Sequence, residues 1–164
     1  MDSEGRREEE IIKALSAHLG EGRVIEASVS RERRVFITIS PEDLQGALRF
    51  LSEEQGFRHL STITGVDAED GIEVIYHLND GKIALSLRVT VPKANPILPT
   101  IVDIIPGAVL YEREVHDLFG VVFEGHPNLS PLILPDGWPE GVWPLRKEWD
   151  IKRIRRKLKG GKDG

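Results

Sequence analysis

Apolar positions along the chain recur with two different periods. From residue 8 to residue 19, Ile11, Ile12, Leu15 and Leu19 keep helical spacing, and Gly20 supplies a C-terminal stop. Two short strands are predicted at 23–29 and 33–39, with Val35, Ile37 and Ile39 alternating with Phe36 and Thr38. Ser30-Arg31-Glu32 would connect them, without the glycine that tight hairpins favour. A second helix is well marked: Ser40 as cap, Pro41 in the first turn, Glu42 and Asp43 at its positive end, and Leu44, Ala47, Leu48 and Leu51 on one face. Gly56 closes it. Residues 57–66 read as a strand with a break around Thr64-Gly65. A hairpin follows over 72–78 and 82–89, turning at Asn79-Asp80-Gly81. Ile72, Val74, Tyr76 and Leu78 share one strand face, as do Ile83, Leu85, Leu87 and Val89. The order predicts an α+β fold, a mostly antiparallel sheet covered by helices.

Past Val91 the texture changes. Pro92, Pro96 and Pro99 mark a stiff loop, and 100–105 reads as a short helix ended by Pro106. A further helix is predicted over 107–119, where Ala108, Tyr111, Val115 and Leu118 follow a 3.6-residue period up to Gly120. Pro127, Pro131, Pro135, Pro139 and Pro144 then exclude an ordinary helix. Yet Phe123, Leu129, Leu132, Ile133, Leu134, Trp138, Val142, Trp143 and Trp149 carry too much apolar surface for a loose linker. The expected form is an irregular proline-rich C-terminal extension lying on its own domain, on a partner, or on both. The predicted organisation is an α+β domain over 1–105, a helix and a proline- and tryptophan-rich interface ribbon over 106–150, and a basic tail over 151–164.

Composition narrows the chemistry. A chain of 164 residues, 40% hydrophobic and 30% charged, has room for a core that needs no disulfide or metal. It contains no cysteine, which excludes disulfides, thiolate chemistry and the ligation used by most iron–sulfur and structural zinc sites. The start, MDSEGRREEEIIKAL, lacks the basic patch and apolar core of a secretory signal, and no window approaches 18 apolar residues. Membrane association is therefore expected only through partners. The formal charge of −5 is uneven: 146–164 holds nine Lys or Arg against three acids, a net of +6, and the rest carries −11. An acidic body is repelled by nucleic acid and anionic lipid, whereas the tail reads as a solvated terminus or as a docking arm for an acidic surface.

Ionisable groups concentrate at 111–117. Glu112 and His116, and Arg113 and Asp117, stand at i and i+4, so each pair is expected to meet on a helix face. Glu112, His116 and the distant His126 would form a metal set only without the usual ligand spacing. A general acid–base pair drawn from Glu112, Glu114, Asp117 and His116 has no nucleophile or cofactor motif beside it. The preferred reading is an ion-pair network that joins this helix to neighbouring backbone or to a partner. His18 reads as a helix-face residue and His59 and His77 as strand residues; His126, between Gly125 and Pro127, reads as a ring that fixes the loop by bonding backbone. There is no glycine-rich phosphate loop. Residue chemistry alone leaves open an assembly subunit, an enzyme with an unrecognised polar site, and a regulatory or nucleic-acid-binding module.

The run YEREVHDLFGVVFEGHPNLSPLILPDGW, followed by WPLRKEW, resembles the 30-kDa subunit of respiratory complex I and its counterparts in membrane-bound, energy-converting NiFe hydrogenases. The matching positions are Glu112, Arg113, Glu114, Asp117, Leu118, Phe119, Gly120, Phe123, Gly125, His126 and Pro127, then Leu134, Pro135, Asp136, Trp138, Pro144, Leu145, Arg146 and Lys147. The resemblance extends over residues 6 to about 150. It departs at Pro131, where the family commonly has arginine, at Asp136-Gly137-Trp138, and in the ending up to Asp150.

The resemblance implies a structural subunit of the peripheral, cytoplasm-facing arm of a membrane-bound, ion-translocating oxidoreductase. It implies an energy-converting hydrogenase or a close relative, with complex I proper as the alternative; a stand-alone enzyme is the reading outside the family. The implied partners are a hydrogenase-like large subunit and a small iron–sulfur subunit, with no nucleic acid and no direct membrane contact. No catalytic, cofactor or metal residue is expected in this chain; a NiFe-type or quinone site and iron–sulfur clusters are expected in the partners. Glu112, Arg113, Glu114 and Asp117 would fix the helix to the ribbon, pairing with Arg146 or Lys147. Phe119, Phe123, His126, Trp138, Trp143 and Trp149 complete the expected structural and interface set.

Overall fold

In the computed structural model, which describes residues 3–160, the chain runs α1 (Ser3–Leu19), β1 (Val24–Arg31), β2 (Arg34–Ile39), α2 (Leu44–Arg49), β3 (His59–Ala68), β4 (Gly71–Asn79) and β5 (Ala84–Val91). It continues through β6 (Ile97–Pro99), α3 (Ala108–Phe119), β7 (Val122–Glu124) and α4 (Ile151–Gly160). The first five strands form one sheet in the order β1-β2-β5-β4-β3, parallel only between β2 and β5. That parallel pair follows from connectivity. The helical stretch after β2 carries the chain to the far edge, and the β3-β4-β5 meander brings it back beside β2.

Alternation sets one face of the sheet inward. Ile72, Val74, Tyr76 and Leu78 of β4 and Leu85, Leu87, Val89 and Val91 of β5 are all buried. Helices cover this face: Ile11 and Leu15 come from α1, Leu44, Ala47 and Leu48 from α2, and Ala108, Val115 and Phe119 from α3. Each large aliphatic side chain so buried contributes about 1.5–3 kcal/mol relative to exposure. The core therefore runs across residue 105, and α3 shares it with the sheet.

Several local expectations change. The β1–β2 turn sits at Glu32-Arg33, because Arg31 pairs with Arg34 and Arg33 takes a left-handed φ of 65°. The buried Glu8 of α1 holds that turn by accepting the Arg33 N–H at 2.7 Å, a service that spacing along the sequence does not reveal. The second helix is built in three pieces, a 3-10 turn at Pro41–Asp43, α2, and a π turn at Phe50–Glu54. Ser40 has extended backbone there but makes no side-chain cap bond.

β3 is not broken at Thr64-Gly65; its irregularity lies between Leu60 and Thr62. Gly65 is there for packing, since a Cβ at this position would lie 2.5 Å from the Phe119 ring. Residues 100–105 form a single turn, with the Ile104 and Ile105 N–H groups both donating to Ile101 O. Pro99 and Pro106 leave no room for more. The short parallel pair β6–β7 and the helix α4 were not legible as elements. Three-residue strands show no period, and α4 follows Asp150, whose carboxylate accepts the Arg153 N–H at 2.7 Å as its cap.

Candidate functional site

The functional candidates gather where α3 meets the segment from 125 to 150, which contains turns and bends but neither helix nor strand. Such a ribbon cannot satisfy its own N–H and C=O groups, so other parts of the chain must.

Asp117, almost wholly buried, presents one carboxylate oxygen to three successive amides: Leu132, Ile133 and Leu134 donate to Oδ2 at 2.8, 2.7 and 3.3 Å. One turn back on α3, Arg113 serves the carbonyls, donating from Nε to Ser130 O at 3.1 Å and from Nη2 to Pro131 O at 3.0 Å. His126 donates from Nε2 to Val109 O at 2.8 Å and accepts the Asn128 N–H at Nδ1 at 2.9 Å. At the ribbon's far end, Leu145 N–H donates to Leu118 O at 3.1 Å and Arg146 Nε to Phe119 O at 2.7 Å. Lys147 N–H donates to Asp67 Oδ2 at 2.8 Å, and Lys93 Nζ lies 2.6 Å from Asp67 Oδ1. Burial would raise the Asp67 carboxyl, but the Lys93 ammonium and the Lys147 amide outweigh it and hold it below the usual carboxylate range.

Trp143 closes the strap over the helix end. Gly120 has φ 78°, and a Cβ there would sit 2.5–2.8 Å from the Trp143 indole, so glycine is needed for conformation and for space. Trp138 is half-buried and donates from Nε1 to Val142 O at 2.8 Å; Trp149 is half-buried under the Arg153 guanidinium, 5.2 Å from its ring centroid. Phe119 and Phe123 lie in the domain's own core.

Glu112 points the other way, into the core. It accepts Thr100 Oγ1–H, at 2.6 Å to one carboxylate oxygen and 2.8 Å to the other, and the Ile101 N–H at 3.0 Å. Burial raises its carboxyl above the usual glutamate range, opposed by the hydrogen bonds from Thr100 and Ile101. Within its field, the buried Tyr76 phenol has no hydrogen-bond partner among the described residues. Burial first, and then Glu112, push that phenol well above its ordinary pKa.

The expected ion pairs within α3 do not form. Glu112 faces Thr100 while His116 donates from Nδ1 to Val121 O at 2.8 Å, and Arg113 and Asp117 are both engaged by ribbon backbone. Nor do Arg146 and Lys147 pair with helix acids: Arg146 lies 3.7 Å from Glu148, and Lys147 uses its amide. The cause is the demand of unpaired backbone groups, which outweighs what an exposed side-chain ion pair returns. The half-buried Glu114 makes no side-chain hydrogen bond or ion pair among the described residues. Glu112, His116 and His126 are not brought together as a metal-binding group, and no such group of three or more ligands occurs among the described residues.

Sequence reasoning missed Asp67, Lys93 and Thr100. Asp67 carried one usable signal: alternation along β3 places it on the buried face with Ile63, where a lone acid needs a partner.

The chain is thus an α+β domain with an irregular strap bound to its last core helix. Residues 37–155 match the family described as respiratory-chain NADH dehydrogenase, 30 Kd subunit, and the chain belongs to that family. It is 32% identical over 144 residues to a subunit of the F(420)H(2) dehydrogenase of Methanosarcina mazei, covering 85% of this chain and 90% of that one. It is likewise 32% identical over 130 residues to the membrane-bound hydrogenase subunit beta of Pyrococcus furiosus, covering 76% and 75% of the two. Among solved structures, a chain of the membrane-bound sulfane sulfur reductase, an archaeal respiratory membrane complex, superposes with a TM-score of 0.79 at 32% identity, covering 93% of this chain and 92% of that one. No described helix is long and apolar enough to cross a membrane.

Proposed function

We propose that this chain is a cofactor-free structural subunit in the peripheral arm of a membrane-bound, ion-translocating oxidoreductase, of the energy-converting hydrogenase kind or a close relative. In this reading it stands on the cytoplasmic face, against a hydrogenase-like large subunit and a small iron–sulfur subunit that carry the redox centres.

One observation carries the reading. Leu132 and Ile133 give their amides to Asp117, yet their side chains remain 42% and 50% exposed. A ribbon fastened by its backbone while it holds aliphatic side chains outward is built to present them, and adjacent exposed apolar groups mark a contact surface. Leu145, 53% exposed beside the bond to Leu118, repeats the arrangement at the other end. The similarity to the hydrogenase subunit and to the sulfane sulfur reductase chain is what supports that branch. The family's own description supports the second reading, the 30-kDa-type subunit of NADH:quinone oxidoreductase.

Purification of the native assembly with identification of its subunits tests the proposal. A large and a small redox subunit are expected to co-purify, and Leu132→Asp with Ile133→Asp to release them while the free chain stays folded. Nickel with hydrogen turnover would assign the first branch, and quinone reduction the second. Turnover by the isolated chain would refute the scaffold role.

A further inference from the structure

Among the described α-helices, α4 alone buries no residue. It holds six Lys or Arg and no acid in ten residues. At 3.6 residues per turn, Ile151, Ile154 and Leu158 occupy an arc of roughly 60°, and the cations fill the rest. This arrangement opposes its own stability. Lys152 and Arg156, Arg153 and Lys157, and Arg155 and Lys159 are like charges at i and i+4. Lys152 and Arg153 also lie in the first turn, where the helix dipole disfavours cations. Helices this short are marginal in water even without repulsion.

Little in the chain compensates. Asp150 caps the first turn, and Arg153 donates to Glu148 O and lies over Trp149. None of the six cations makes an ion pair among the described residues. An open groove of about 1070 Å³ separates α4 from the ribbon, lined by Arg153, Arg156 and Lys157 on one side and Asp136 and Glu140 on the other. Lys152, Arg155 and Lys159 lie outside the groove lining, as do Ile151, 69% exposed, and Ile154.

We infer that α4 is a docking helix for an acidic surface on a neighbouring protein subunit, which Lys152, Arg155 and Lys159 meet by charge and Ile151 and Ile154 by apolar contact. Carboxylates supplied from outside remove the repulsion among the cations and secure the helix. A protein surface fits better than a bilayer. Three aliphatic residues are too few for an interfacial membrane helix, and an anionic plane would repel the acidic body beside α4, whereas an acidic patch acts locally. The inference rests on the assembly reading and extends it to a second, electrostatic contact.

The test compares the full chain with its Lys152→Glu/Arg155→Glu/Lys159→Glu variant, each recovered from its host in the native assembly. The variant is expected to retain the other subunits on the order of tenfold less well at physiological salt. Wild-type retention should fall as salt rises, and the two free chains should melt alike. Zero-length carbodiimide coupling should join Lys152 or Lys159 to carboxylates of another subunit. Equal retention of the same subunits by both chains, or coupling confined to this chain's own acids, would overturn the docking role and leave the assembly reading intact. A wild-type chain that recovers no subunit would overturn both. Binding of the wild-type chain, but not the variant, to phosphatidylcholine vesicles containing phosphatidylglycerol, with assembly unaffected, would replace the protein partner with a membrane.

Discussion

The ribbon from 125 to 150 and the helix α4 that follows it are opposites. The ribbon has no regular structure, yet its amides and carbonyls end on Asp117, Arg113, Asp67 and the carbonyls of α3. The helix has regular hydrogen bonding, yet among the described residues little beyond its cap and the Arg153 guanidinium, which stacks on Trp149 and donates to Glu148 O, ties it to the body. Regular backbone satisfies its own polar groups and so demands no partner; irregular backbone must be met by others, and that demand fixes it. The irregular segment is therefore the better anchored of the two.

The largest effect should come from Asp117→Ala, which leaves three amides without their acceptor. Charged-group hydrogen bonds contribute about 1.5–3 kcal/mol, and with water reaching part of the exposed ribbon a net loss of about 3 kcal/mol is expected by chemical denaturation. Amide exchange at 132–134 should speed up more than exchange in β4. Equal protection in variant and wild type would mean that the ribbon is held by its side chains instead.

Gly120→Ala comes next. The left-handed φ and the overlap with the Trp143 indole should cost about 2 kcal/mol, visible as a lower denaturation midpoint and a shifted Trp143 emission. A midpoint unchanged from wild type would show that Trp143 does not close over the helix end.

Two acids bracket the strap with opposite pH signs. The Asp67 carboxyl is held below its ordinary value in the folded chain, so its stabilisation is complete above the unfolded pKa and is lost as pH falls through the folded one. The Glu112 carboxyl is raised, so stability associated with it is greatest below the ordinary glutamate pKa and declines as pH rises through the folded value. Glu112→Gln, which keeps an oxygen for Thr100 and Ile101, should therefore gain on wild type between acid and neutral pH, by less than Gly120→Ala loses. Asp67→Asn should flatten the acid limb. Unfolding curves taken across pH 3 to 7, roughly the range in which free carboxyls titrate, read both signs.

What could be read in advance follows the same division. Periodic burial made the sheet, α1 and α3 legible, because Ile72 to Leu78 and Ala108 to Val115 repeat one local rule. The strap was legible as residues but not as contacts. Arg113 and Asp117 stood out at helical spacing, but nothing local says that their partners are backbone groups 15 to 18 residues away. Gly65 looked like a break, whereas its lack of a side chain admits Phe119; Gly120 does stop α3 as expected, and its missing side chain also admits Trp143. α4 escaped because six cations suppress the apolar signal and its cap, Asp150, follows a run of prolines and tryptophans.

The smallest effect is expected at α4 and sets the other limit of the comparison. Ending the chain after Asp150 removes no buried side chain among the described residues, so the free protein's unfolding free energy should change by less than about 0.5 kcal/mol. Far-UV circular dichroism of the full chain should show less helix than α1, α2, α3 and α4 together require at low salt, and should gain helix when salt screens the cations. The strapped ribbon should not respond, since the Asp117 and Asp67 carboxylates that hold its amides are buried, where screening is weak. A loss of more than about 1 kcal/mol on truncation would mean that α4 is fastened to the body as firmly as the ribbon, and the contrast between the two segments would fail.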